Sequence, residues 1–289
     1  MPRSSHLGLL DAGVPARPAT GSRPVLSRRY VGAPGHQVHL LEGGGERQGP
    51  PLYCLHATAY SGRSFSPLLE ALAARRRVAA IDAPGYGASD PPPEPITVTG
   101  YAHAIDAALD AAGEAEVDLF GYHTGALIAA ELARLRPDRV RRVVLIGVPY
   151  FEGAERAAWR KRLAHPMRLT ESFSQFAEKW AYFVDDRPPG ISLARGFDNF
   201  VDELRAYPDG WWAHEAAFTF DAVNGLAQVR QPVLVLNPNS HLAAASRRAA
   251  AALPRGELIE LPHLVNGIFD VAATELAEAM DKFLTEGRD

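Results

Sequence analysis

Short, unbroken apolar runs alternate with helical stretches along most of this chain, and that alternation limits the folds open to it. Leu52-Tyr53-Cys54-Leu55, Val78-Ala79-Ala80-Ile81, Val117-Asp118-Leu119-Phe120, Val143 to Val148, Pro232 to Leu236 and Leu258 to Leu261 read as strands. A strand with one wet face alternates apolar and polar residues, whereas a continuous apolar strand is buried on both faces. Between these runs, Ser64 to Arg75 carries Phe65, Leu68, Leu69 and Leu72 at helical spacing. Ala102 to Ala112, Gly125 to Leu135, Leu242 to Leu253 and Ala272 to Leu284 read as helices too. The pattern predicts an α/β fold, a mostly parallel sheet covered by helices on both sides. Arg29 to Gly32 and Gln37 to Leu41 read as an opening hairpin with Gly35 in its turn.

The alternation stops once. Residues 149–221 carry no strand signal and many aromatics, among them Trp159, Phe173, Phe176, Trp180, Tyr182, Phe183, Phe197, Phe200, Trp211 and Trp212. They read as a helical cap inserted between two halves of a core, 26–148 and 222–289, most of the aromatics packing within it. Such an insertion sits above the carboxyl ends of the strands, where ligands bind in open α/β sheets. Residues 1–25 show no period and no apolar signal-peptide core, and read as a loose extension. With 289 residues, 47% of them apolar, a large core is expected. A net charge of -4 argues against a general binder of nucleic-acid backbones. One cysteine, Cys54, rules out a disulfide framework and is expected to be buried and inert. No apolar run is long enough to span a bilayer, and a cytoplasmic location is the default expectation.

The sharpest local signal is Phe120-Gly121-Tyr122-His123-Thr124-Gly125, with a strand entering and a helix leaving. It matches the G-x-S-x-G nucleophile elbow except that His123 stands where the motif has serine. Two further turns fall in the matching order: His56-Ala57-Thr58-Ala59 and Asp82-Ala83-Pro84-Gly85-Tyr86-Gly87-Ala88-Ser89-Asp90. On these three motifs the chain resembles the α/β-hydrolase superfamily over roughly residues 28–287. The resemblance implies that fold with its helical cap. It implies an oxyanion site built from the backbone N–H of Thr124 with that of Ala57 or Thr58. It gives His56 and Asp82 structural roles.

The resemblance also assigns triad positions, and this chain departs from the family at each. The nucleophile position is His123. The acid loop reads Asn237-Pro238-Asn239-Ser240-His241-Leu242, with no Asp near Ser240 or His241. In Leu261 to Asp270, Asn266 holds the place of the general base, with His263 three residues earlier as a substitute base. The acyl-serine route needs an alcohol, a base and an orienting acid, so it is not available. At a helix start the imidazole of His123 is expected to be neutral, free to accept a proton or donate a hydrogen bond. Tyr60, Tyr122, Trp180, Trp212 and His214 are candidates for lining an apolar pocket.

Each residue has a plainer reading: Asn266 tolerates a left-handed turn, Ser240 is an ordinary turn residue and His214 packs in a helix. A metal held by His123, His241 and His263 lacks any paired-ligand spacing, and the acid loop is expected to lie behind the base, away from position 123. Gly85-Tyr86-Gly87 lacks the third glycine of a dinucleotide site, and Gly43-Gly44-Gly45 lacks the lysine of a phosphate loop, so no cofactor is expected. The leading expectation is an enzyme that stabilises an oxyanion on a small, largely apolar carbonyl or phenolic substrate. Elimination, isomerisation, cyclisation or carbon–carbon cleavage would suit, and divergent members of the superfamily suggest secondary metabolism. The alternatives are an atypical ester, lactone or epoxide hydrolase using His123 as nucleophile or as base for water, and a ligand-binding protein without catalysis. The sequence does not decide oligomeric state; a homodimer through the cap stays open.

Overall fold

The computed structural model describes residues 25–45 and 49–286; the predicted extension at 1–25 lies almost wholly outside them. Eight strands form one sheet: β1 Ser27–Val31, β2 Val38–Gly43, β3 Leu52–Leu55, β4 Val78–Ile81, β5 Val117–Tyr122, β6 Val140–Ile146, β7 Val233–Pro238 and β8 Gly256–Leu261. Their order is β1-β2-β4-β3-β5-β6-β7-β8. β2 pairs antiparallel with β1 and β4, and every other pairing is parallel.

The continuous apolar strands are buried on both faces because alternate residues enter different cores. Tyr53, Leu55, Ala79, Ile81 and Leu119 join one cluster, packed under helices Val98–Ala112, Thr124–Leu135 and Ala243–Ala252. Leu52, Cys54, Val78, Ala80 and Phe120 join the other, under helices Ser66–Ala73 and Ala273–Thr285. Cys54 is fully buried, and burial pushes its thiol well above the ordinary range. β8 is the exception to double burial: as an edge strand most of it is exposed, and Glu257 and Glu260 make it a poor template for another strand.

Two element boundaries differ from the sequence reading. The helix predicted from Ala102 starts at Val98, because the Thr97 side chain accepts a hydrogen bond from the Gly100 N–H and caps it. The helix predicted over Ser64 to Arg75 is a short 3-10 turn, Gly62–Phe65, followed by an α-helix from Ser66 with Pro67 in its first turn. Proline there costs no hydrogen bond.

Between β6 and β7 the chain forms helices Gly153–Leu163, Ser174–Trp180, Leu193–Arg205, Trp212–Thr219 and Ala222–Leu226. Ser174–Trp180 runs on into a π-helical turn, Ala181–Asp185. Phe183, Val184 and Phe200 make a small core there. Not all its aromatics pack inward as expected: Phe173 and Tyr182 are 69% and 68% exposed. No helix among the described residues is long and apolar enough to cross a membrane.

The turns after β3 and β4 are fastened by Asp82. Its carboxylate accepts hydrogen bonds from the Gly62 N–H (2.7 Å), the Ala88 N–H (2.9 Å) and His39 Nδ1 (2.9 Å). Burial pushes this carboxyl up, but His39, His56 and the backbone donors outweigh it and hold it below the ordinary range. His56 ties the same turns: the Ala83 N–H donates to its Nε2 and its Nδ1 meets the Ala57 carbonyl. Asp82→Ala strands the buried Gly62 N–H, removes the partners of the Ala88 N–H and the buried His39 ring, and is expected to cost about 3 kcal/mol. A urea midpoint equal to that of the wild type would contradict this.

Candidate active site

The turn after β5 has the backbone of a nucleophile elbow. His123 stands at φ 52°, ψ -115°, the only non-glycine residue with positive φ among the described residues. A side chain at such an angle costs about 1–3 kcal/mol and persists where its surroundings impose it. The two motif glycines supply that constraint. A β-carbon on Gly121 would sit 2.4 Å from the Gly125 carbonyl oxygen, and one on Gly125 would sit 2.1 Å from that of Leu55. The Thr124–Leu135 helix therefore lies directly against β5 and the end of β3, and the residue between strand and helix is forced upward.

A third glycine, not singled out in the sequence, gives the imidazole its room. Gly147 follows β6 at φ 65°, and a β-carbon there would lie 2.5 Å from His123 Cδ2 and 2.8 Å from Nε2. Around the ring stand Tyr122 at 4.0 Å and His241 at 5.7 Å between centroids, the latter edge-on at 86°. Trp159 packs on the far side of His241 at 5.4 Å. Neither ring nitrogen of His123 has a hydrogen-bond partner among the described residues. Burial, then repulsion from His241 and His214, lowers the His123 pKa to about 3. The expected neutral imidazole follows, though burial is its main cause rather than the helix start.

The acid loop does not lie behind the base as expected. It brings His241 to the edge of His123, in a turn held by the Asn239 N–H on the Leu264 carbonyl (2.8 Å), the Ala243 N–H on the Ser240 carbonyl (3.0 Å) and the Leu242 N–H on the Ser240 hydroxyl (3.2 Å). His263 is turned away: its Nε2 lies 2.9 Å from Glu275 and its side chain is 58% exposed, so it is not a base for this site. The three-histidine metal reading fails for the same reason, and no cluster of three potential ligands occurs among the described residues. Asn266 sits exposed at the rim, before Gly267 at φ 64°.

These residues open on a cavity of about 200 Å³, lined by Tyr60, Tyr122, His123, Ser240, His241 and Asn266 among the expected residues. Other expected residues fall outside its lining. The Thr58 hydroxyl donates to that of Thr124 at 2.7 Å, Ala57 and Thr124 are buried, and none of the three lines the cavity. Trp180 packs on Phe197 and Phe200. Trp212 borders the loop of Gly85 and Tyr86. His214 lies along Phe218.

The cavity also has charged groups that no motif announced. Asp270 accepts from Arg195 Nε at 2.9 Å, while the other guanidinium nitrogens of Arg195 donate to the carbonyls of Arg63 (3.0 Å) and Ser64 (2.6 Å). Burial pushes the Asp270 carboxyl above its ordinary range despite Arg195. Arg187, Tyr182 and Asn199 reach the cavity from the inserted helices. Asp270 closes the stretch from Leu261 that carries Asn266, whereas the arginines are brought to the cavity by packing from far along the chain. A larger hollow of about 710 Å³, beside the β1–β2 hairpin and lined by Pro91, Ile96 and Ala104, shares no lining residue with this cavity.

Two measurements check this geometry. Alanine at 123 keeps the strained angle and glycine does not, so His123→Gly is expected to be more stable than His123→Ala by about 1 kcal/mol, the reverse of the usual order. Equal melting temperatures would count against an imposed turn. In NMR the His123 ring is expected not to titrate between about pH 5 and 8. Because its folded pKa lies below the unfolded one, unfolding takes up a proton between the two values. Stability therefore falls as pH drops through that window.

Comparison with known proteins places this sheet in a family. A family description, alpha/beta hydrolase fold, matches residues 50–206. A protein named as a carbamate hydrolase, RutD, of Azorhizobium caulinodans is 38% identical over 185 residues, 59% of this chain and 66% of that one. Bifunctional epoxide hydrolase 2 of Sus scrofa is 32% identical over 209 residues, 71% of this chain but 35% of its own length. The match thus spans less than two thirds of either relative. In fold, the chain is similar to an enol-lactonase from Burkholderia xenovorans, with a TM-score of 0.71, 23% identity, and coverage of 89% of this chain and 100% of that one. With a family match over more than half its length, the chain belongs to the alpha/beta hydrolase fold family.

Proposed function

We propose that this protein is an α/β-hydrolase-family enzyme that works without a serine nucleophile, on a small substrate whose carbonyl or phenolic oxygen meets His123. The observation that carries this reading is the backbone angle of His123. A glycine would relieve the strain, yet a ring is held there, on a cavity, with both nitrogens unpartnered. Residues 149–221 act as the cap over the core segments, since Tyr182, Arg187 and Asn199 complete the wall opposite the elbow.

A neutral imidazole donates a hydrogen bond to an oxygen that gains negative charge, as in enolate-forming enzymes. With a pKa near 3 it is a weak proton acceptor before substrate arrives. Negative charge developing beside it raises that pKa, so proton transfer accompanies the charge rather than preceding it. Elimination, isomerisation and carbon–carbon cleavage all pass through such charge. A second reading, hydrolysis with His123 directing a water, is favoured by the names of the two relatives, both hydrolases.

The test is a panel of aryl esters, a lactone, an epoxide and small ketones in D2O, run with the wild type and His123→Ala. The first reading expects deuterium exchange next to a carbonyl, without ester turnover, lost by about a hundredfold or more in the variant. Ester, lactone or epoxide turnover that the variant loses would replace it with the second. Inertness throughout would leave a ligand-binding protein.

A further inference from the structure

Arg187 is the cation at the cavity wall that has no ion-pair partner among the described residues. It follows the π-helical turn Ala181–Asp185, which carries it from the inserted helices to the cavity beside Tyr182, Pro188 and Asn199. Its Nη1 donates to the Val184 carbonyl at 2.6 Å and its Nε to the Ile191 carbonyl at 3.1 Å. Two backbone acceptors from either side of Arg187 thus fix the guanidinium plane. Two of its five N–H groups are spent, and Nη2 keeps both of its own. The neighbouring acids are otherwise placed. Asp185 accepts the Trp180 indole N–H at 3.1 Å, Asp186 lines the cavity but is exposed and makes no ion pair with Arg187, and Asp270 is paired with Arg195. A fixed, half-buried guanidinium without a carboxylate is poorly compensated, and an arriving anion corrects that.

We infer that Arg187 anchors a carboxylate of the ligand, so that the cavity takes small organic acids. The acid group sits at Arg187 and the apolar remainder lies along Tyr60, Tyr122 and Phe183. Carboxylate rather than a spherical anion is favoured by the planar fork, which matches two oxygens in one plane. At about 200 Å³ the cavity is smaller than those that take drug-sized ligands. Combined with the proposed function, on which this step rests, the substrate is a small carboxylic acid that carries a second carbonyl or phenolic oxygen for His123. The anchor itself is independent of any turnover.

The test uses benzoate and benzamide, alike in size and shape but differing in charge, with binding to the purified full chain read by calorimetry and ligand-observed NMR. Benzoate is expected to bind the wild type about tenfold or more tightly than benzamide. Arg187→Gln should remove that preference, and Arg187→Lys should keep only part of it, having charge without the fork. Because Arg187 also ties its loop, Asn199→Asp is measured as well: it adds a negative charge to the same wall without touching those bonds, and should weaken benzoate by a larger factor than benzamide. The assignment is overturned if benzoate fails to bind or binds no better than benzamide. It is also overturned if folded Arg187→Gln or Asn199→Asp binds benzoate undiminished, or if inorganic phosphate binds as tightly as benzoate. His123→Ala should retain benzoate. If that variant also matched wild-type turnover, the proposed function would fall while the anchor stood.

Discussion

The structure turns on a backbone contact that admits no side chain. The first turn of the Thr124–Leu135 helix lies so close to the end of β3 that a β-carbon on Gly125 would stand 2.1 Å from the Leu55 carbonyl oxygen. Helix, β5 and β3 are therefore locked together, and the chain can pass from strand to helix only through a residue at positive φ. The identity of that residue is not dictated by the contact, so the same frame carries a serine elsewhere in the family and a histidine here. Gly147 then decides that a ring, rather than a smaller group, fills the space.

Electrostatics around the ring follow from what has been replaced. A triad histidine is held by a carboxylate, which stabilises its charged form. Here the residue edge-on to His123 is another histidine, which opposes that charge and adds to burial. The cavity nevertheless contains charge of both signs, Arg195 with Asp270 on one side and Arg187 on another, all from outside the triad loops. The charged groups of the cavity thus lie on the wall shared by the inserted helices and the last loop.

Much of this was legible in the sequence, for local reasons. Continuous apolar runs such as Val78 to Ile81 announce strands buried on both faces, and the glycines around His123 announce a turn whose geometry they alone permit. The start of the Val98–Ala112 helix was missed because its cap, Thr97, precedes any apolar period. The site was legible only where a motif marks it. The place of His241 is not legible because the direction of its loop is set by bonds the sequence does not announce, such as that of the Asn239 N–H to the Leu264 carbonyl. His263 was kept as a candidate because sequence spacing cannot reveal Glu275, brought to it from the final helix. Arg187 and Arg195 carry no spacing signal, since tertiary packing alone brings them to His123.

The room made by Gly147 has a consequence for interconversion. A serine placed at position 123 would leave a void beside that glycine and would find Asn266 in place of a base and His241 in place of an acid. No single substitution builds the family's triad in this frame, and a serine alone loses the imidazole without gaining an activated alcohol. Passage between the two arrangements meets a barrier crossed only by several coordinated changes, whereas the surroundings of the histidine can change one residue at a time.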